Sequence, residues 1–226
     1  MRRATSLLFL FGLALLLAAI YRHLGANVVD VGQLIDARAP AEVGAANLVT
    51  SVVLAYRGLD TLVELSILFS AATAVGLVLG PEPATTMGDR DAGFILRAGT
   101  DLFFPLLLVV GIFIVLHGHL TPGGGFQGGV ILACAFFVPL LARPGCRLDQ
   151  RWASLIEGLA GASFIIIGLL ALGGGGVFLT PLLGRGEMGG LFSAGSLPLL
   201  YTAVGMKVGA ELAGVLARLA AQPPVV

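Results

Sequence analysis

A chain of 226 residues that is 57% apolar and only 12% charged carries about half the roughly 25% charge of an ordinary soluble domain, so most of it is built for lipid. Thirteen basic and thirteen acidic side chains cancel, which excludes the one-sided positive field that a nucleic-acid binder needs. The two cysteines, Cys134 in an apolar run and Cys146 in a short basic loop, make no Cys-x-x-Cys or Cys/His spacing, so no metal centre, redox motif or bound cofactor is expected.

A bilayer core takes about 20 mostly apolar residues per helix. The sequence therefore predicts an all-α polytopic membrane protein with about six spans, at roughly 4–22, 60–80, 98–118, 126–143, 152–173 and 192–217. In the first span, Arg2 and Arg3 followed by Leu7–Ile20 also fit the outline of a signal peptide. The absence of a clear A-x-A site ahead of Tyr21 favours a retained helix. Residues 47–56 are apolar as well, but fused to 60–80 they would bury Arg57 and Asp60, so they are read as a short interfacial or half-inserted helix.

Asp60 and Glu64 stand at the head of the second span, four residues apart on one helix face, with Arg57 beside them. A polar connector follows at Gly80–Asp91, dividing the chain into a two-span module, 1–91, and a four-span module, 92–226. Near the start of the third span, Asp101 lies four residues after Arg97, its expected partner. His117 and His119 close that span on different helix faces, which disfavours joint metal binding. Capping is their simplest role, and titration at the mouth of a path is the sharper one.

The link to the fourth span reads HGHLTPGGGFQGGVILA. Gly123, Gly124, Gly125, Phe126, Gln127, Gly128 and Gly129 match G-x-G-x-x-G formally, but the run follows a membrane helix rather than a strand, so dinucleotide binding is excluded. These glycines are expected to reverse the chain within a few residues, with Thr121 and Pro122 fixing the approach. Further on, Glu157 stands in the fifth span with no opposite charge within helical reach on its own helix, and Gly173–Gly176 reads as a hinge or tight turn. In the last span Lys207 and Glu211 are spaced i,i+4, while Gly205, Gly209 and Ala213 form a separate small-residue stripe suited to close packing. With the N-terminus inside, Arg2, Arg3, Arg90, Arg97, Arg143, Arg147, Arg151 and Arg218 fall on the cytoplasmic side, against Arg22, Arg38, Arg57 and Arg185 outside, so both termini are expected in the cytoplasm.

Ionisable groups inside a bilayer cost about 2.5–3.5 kcal/mol each on insertion scales, so each needs a partner, a cavity or a task. Asp60, Glu64, Glu157, Lys207 and Glu211 accordingly suggest a cation or proton relay, because desolvated acids beside a lysine exchange protons in a damp interior. The alternative is that the same charges serve as buried glue between helices or subunits. A stand-alone enzyme is disfavoured, since no nucleophile–base pair or cofactor motif is present.

HGHLTPGGGFQGGVILA and the later GGLFSAGSLPLLYTAVGMKVGAELAG closely resemble the MnhB/MrpB subunit family of multisubunit Mrp-type cation/proton antiporters, over about Ala92–Ala220. The first module, through Tyr56-Arg57-Gly58-Leu59-Asp60-Thr61-Leu62 and Glu64, is similar to the small domain at the C-terminus of the MrpA subunit, which also occurs as a separate subunit in membrane-bound hydrogenases. That family usually has a glycine before the glutamate, where this chain has Val63. The resemblance implies an accessory subunit in the inner membrane of a prokaryote. Its partners would be the other subunits of an Mrp-type or membrane-bound hydrogenase-like complex, with Na+ and H+ as the transported ions, and Glu64, Glu157, Lys207 and Glu211 would line a lateral path. Any redox catalysis would reside in other subunits.

Overall fold

The computed structural model describes residues 2–23, 31–80, 92–143 and 145–221. Among these the elements are α1 (Arg2–His23), α2 (Val31–Val43), the single turn α3 (Leu48–Thr50), a π-helical stretch (Ser51–Tyr56), α4 (Gly58–Leu79), α5 (Gly93–Leu116), α6 (Gly125–Ala142), α7 (Gln150–Gly173) and α8 (Leu197–Ala220). The chain forms two compact units, Met1–Arg38 and Ala39–Val226.

In the first unit, α1 exposes every described side chain along its apolar stretch Ser6–Arg22, as a helix surrounded by lipid would. Helix α2 was not expected from the sequence. Its Asp36, Arg38, Pro40 and Glu42 interrupt any apolar run, and hydropathy alone passes over it.

The second unit holds the five helices long and apolar enough to cross a membrane, α4 to α8. A sixth span arises only if Val31–Val43 and Leu48–Tyr56 are taken together as one bent pair. Helix α8 is central: it packs on α6, α7 and α4, while α5 packs mainly on α6. Twelve of its residues are buried, because its glycines and alanines let neighbours approach without large side chains in the way. The other spans leave Leu, Ile, Val and Phe on their outer faces, the pattern of helices solvated by lipid.

Three boundaries depart from expectation. Helix α5 starts at Gly93 rather than 98. Helix α8 starts at Leu197, not 192, because Ala194 and Gly195 adopt left-handed backbone and Pro198 sits in the first turn, where its missing N–H costs nothing. The predicted interfacial helix at 47–56 resolves into a capped turn and a π-helical stretch. Asn47 Oδ1 accepts from the Val49 N–H at 3.1 Å, and the Arg57 N–H reaches back five residues to the Val52 carbonyl at 2.9 Å. The expected connector lies, apart from Gly80, outside the described residues.

The turn expected after the fifth span is built by Gly174–Gly176. Gly175 has φ +83°, and the Gly176 and Gly175 N–H groups bond the Ala171 and Leu172 carbonyls, closing α7 with a Schellman motif.

Candidate functional site

Lys207 lies ten residues into α8, roughly 15 Å from its start, and Glu157 seven residues into α7, roughly 10 Å from its start. The Lys207 stem crosses Gly161 of α7, where an added Cβ would meet its Cδ at 3.5 Å. The ammonium thereby reaches 3.4 Å from Glu157 Oε1 while holding Glu211 Oε2 at 3.3 Å on its own helix. One lysine is thus shared by two carboxylates from two spans. The ring of Phe69, on α4, faces the same ammonium at 5.1 Å from its centroid.

The three groups are shielded to different degrees: 10% of the Lys207 side chain is exposed, 21% of Glu157 and 1% of Glu211. Neither oxygen of Glu211 makes a hydrogen bond. Beside them lies a cavity of about 340 Å³, framed by Phe69, Thr73 and Gly76 of α4, Gln150, Ser154 and Glu157 of α7, and Glu211 and Arg218 of α8. It runs from the two carboxylates toward the start of α7 and the end of α8, where the Arg218 guanidinium lies over Gly76 so closely that any Cβ there would overlap it. The cavity is therefore lined by hydroxyls, an amide and charges within an otherwise apolar bundle.

The other acidic residues singled out in the sequence are not brought to this cavity. Asp60 is paired with Arg57 at 2.5 Å on the exposed head of α4. Glu64 is also exposed and sits roughly 150° around the α4 axis from the residues that line the cavity. Asp101 is bridged by Arg143 at the end of α6, so its contact ties α5 to α6 across 42 residues of sequence. The cross-helix partner of Glu157 was likewise invisible, since an i,i+4 rule sees only one helix at a time.

The glycine link divides between loop and helix. The reversal is complete by Gly124, with φ +143° at Gly123 and +122° at Gly124, and Gly125 already begins α6. Gly125, Phe126, Gln127, Gly128 and Gly129 are thus helical rather than part of the turn. A Cβ at Gly125 would stand 2.6 Å from Val204 Cβ, and one at Gly129 would stand 2.9 Å from the Gly205 carbonyl oxygen. Thr121 and Pro122 are exposed, and the approach is held by Asn47, whose Nδ2 donates to the Gly118 and Thr121 carbonyls at 2.9 Å each. The Thr50 hydroxyl adds a bond to the Gly118 carbonyl at 2.6 Å. Nothing in the sequence marks Asn47 as the residue that clasps a loop 71 residues away. In the small-residue stripe, Gly205 is covered by Val115, Gly209 by Gly129, and Ala213 is buried.

The two histidines part ways. His117 occupies the C-cap of α5, with Nδ1 3.0 Å from the Phe113 carbonyl and its ring stacked on Phe113. His119 does not cap; it is fully buried in the loop layer, and its carbonyl accepts from the Asn47 N–H at 3.0 Å. Burial lowers the His119 pKa below its usual 6.5. The backbone of Gly190 and Leu191 lies near the ring and opposes that shift without meeting hydrogen-bond geometry at either nitrogen, and the charge of His117 reinforces it. Among the described residues no group of three His, Cys, Asp or Glu side chains is placed to hold a metal ion.

With this geometry in view, likenesses to known proteins become informative. Residues 95–214 match the family described as a domain related to the MnhB subunit of Na+/H+ antiporter. An uncharacterized protein of Methanocaldococcus jannaschii is 30% identical over 196 residues, 74% of each chain. A chain of the membrane-bound sulfane sulfur reductase, an archaeal respiratory membrane complex, superposes with a TM-score of 0.82 at 37% identity, covering 96% of this chain and 97% of that one. A chain of the Mrp complex from Dietzia sp. DQ12-45-1b shares the fold, with a TM-score of 0.74 at 22% identity; 96% of this chain covers 25% of that one.

Proposed function

The chain belongs to the family of domains related to the MnhB subunit of Na+/H+ antiporters, and on that premise we propose that it is an accessory, multi-pass membrane subunit of a multisubunit cation/proton antiporter-type complex whose α7–α8 cluster forms part of an ion path. The observation that carries the second half of this reading is Lys207 shared between Glu157 and Glu211 beside a polar cavity of about 340 Å³. Two acids and one base leave one negative charge unmatched when all are ionised, so the cluster attracts a cation into a place where water alone would not hold it. With both termini in the cytoplasm, the cavity opens toward that side. Asp60, paired with Arg57, and Glu64 face outward on α4, where a neighbouring subunit supplies the water or counter-charge that Glu64 needs.

The likeness to a respiratory-complex chain along almost its whole length supports a redox-linked host as well as a pure antiporter. In either host this chain provides a transport component, and any redox catalysis lies in other subunits. Purification of the complex from its native membrane, with identification of the co-purifying chains, separates the two.

The path reading is tested with Glu157→Gln in the assembled complex, followed by blue-native electrophoresis and an ion-flux assay. Transport is expected to fall at least tenfold with assembly intact. Unchanged flux rejects the path. The alternative, in which the charges only hold neighbouring subunits in register, predicts a dissociated complex before any change in flux.

A further inference from the structure

We infer that the Glu157–Lys207–Glu211 cluster loads protons and is closed to Na+ and K+, because the lysine ammonium already occupies the position between the two carboxylates where a metal cation would bind. The inference rests on the path reading above and names the ion for that path.

Position comes first. Lys207 Nζ stands 3.4 Å from Glu157 Oε1 and 3.3 Å from Glu211 Oε2, so a metal ion held by both acids would have to displace it or lie against its charge. Lys207 itself is not among the cavity-lining residues, whereas both carboxylates are. A cation arriving through the cavity therefore meets oxygens backed by a fixed ammonium. A proton has no such difficulty, because it binds to a single oxygen and brings the cluster to zero net charge. Glu211, 3% exposed and with neither oxygen hydrogen-bonded, is the acceptor with the most to gain.

Oxygen supply points the same way. Hard cations take several oxygen ligands, and intramembrane Na+ sites draw them from carbonyls freed by unwound helices. Helices α7 and α8 run unbroken through Glu157, Lys207 and Glu211, so their carbonyls are engaged in helical bonds. The irregular backbone lies elsewhere, at the π-helical Ser51–Tyr56 and in the loops. The remaining lining offers the hydroxyls of Ser154 and Thr73 and the amide of Gln150, enough to order a file of water but too few to replace a hydration shell.

Charge along the approach completes the case. Among the described residues, the charged groups lining or touching the cavity are Glu157, Lys207, Glu211 and Arg218; α4 contributes none. Arg218 sets a fixed positive charge in the last turn of α8, toward the open end. Such a charge repels Na+ and K+ and leaves proton hopping through hydrogen-bonded water available.

The test is an infrared titration of the purified, assembled complex. It follows the C=O band of protonated carboxyl groups as the difference between wild type and Glu211→Gln, in rising NaCl or KCl with choline chloride holding ionic strength. A carboxyl band whose midpoint is independent of Na+ and K+ is expected. In Lys207→Gln, where an amide oxygen replaces the ammonium between the two carboxylates and so completes the oxygen set, each tenfold rise in Na+ is expected to lower the midpoint, approaching about one pH unit when Na+ and H+ compete for one site. A Na+-dependent midpoint in the wild type overturns proton selectivity, even where Glu157→Gln still stops transport and the path reading stands. Absence of any titrating carboxyl band in the wild type overturns proton loading itself. A Na+-independent midpoint in Lys207→Gln rejects the lysine as the excluding group. If Glu211→Gln fails to assemble, the salt dependence of the wild-type band against Glu157→Gln decides the matter alone.

Discussion

The face of α8 that meets α6 is glycine against backbone, whereas the face that meets α7 carries a lysine and a glutamate beside a polar cavity. On the first, Gly209 admits the Gly129 carbonyl of α6, and Gly129 in turn lies against the Gly205 carbonyl and Val208; beside it Gly205 also admits the Val115 side chain of α5. On the second, Lys207 and Glu211 look away by two residues, roughly 200° around the same axis. A single helix can hold charge within a membrane when its other side is packed too tightly to slide. The closed seam fixes the position from which the open seam reaches α7.

That contrast can be broken from the charged side first. Lys207→Met leaves two buried acids without their shared base and is expected to cost about 3 kcal/mol, the scale for removing one partner of a buried ion pair. The additional change Glu211→Gln should recover much of it. Thermal unfolding of both variants in detergent measures the difference, and equal losses would show that the pair is not coupled. On the tight side, Gly129→Val drives a branched side chain into Val208 and the Gly205 carbonyl, with an expected loss of about 1–3 kcal/mol. No change of charge elsewhere should rescue it; recovery at low pH would mean that the two seams are not independent.

The smallest effect lies outside both seams and sharpens them by exclusion. His119 is buried with its pKa lowered, so the unfolded loop binds a proton more readily than the folded one. Its contribution is complete above about pH 6.5 and is lost as pH falls from there toward the folded value. Protection from hydrogen exchange at 117–124, taken relative to the intrinsic amide rate at each pH, should therefore fall below pH 6.5, and His119→Gln should abolish that dependence while leaving protection in α6 and α8 unaltered.

The sequence made the spans legible because lipid demands long apolar runs, and it made the charged residues legible because each is expensive there. Partners were another matter. Glu157 and Lys207 are 50 residues apart, and Asp101 meets Arg143 rather than only what its own helix offers, because helix spacing carries no information about which spans are neighbours. Helix ends set by loop geometry, such as the late start of α8 after Ala194 and Gly195, were hidden in a run that carries no charged residue. Asn47 looks ordinary in the sequence, and nothing there separates the buried His119 from His117. Their importance comes from a loop layer assembled out of segments 71 residues apart.

The wide turn at Ser51–Tyr56 holds one residue more per bond than an ordinary helix, and the Val53 carbonyl instead receives the Thr61 hydroxyl at 2.8 Å. That spare residue sets the rotational phase of Asn47 and Thr50 against α4. Removing it would turn Asn47 and Thr50 by about 100° relative to that helix, drawing Asn47 out of line with the carbonyls it clasps, while the count of helical bonds stayed almost the same.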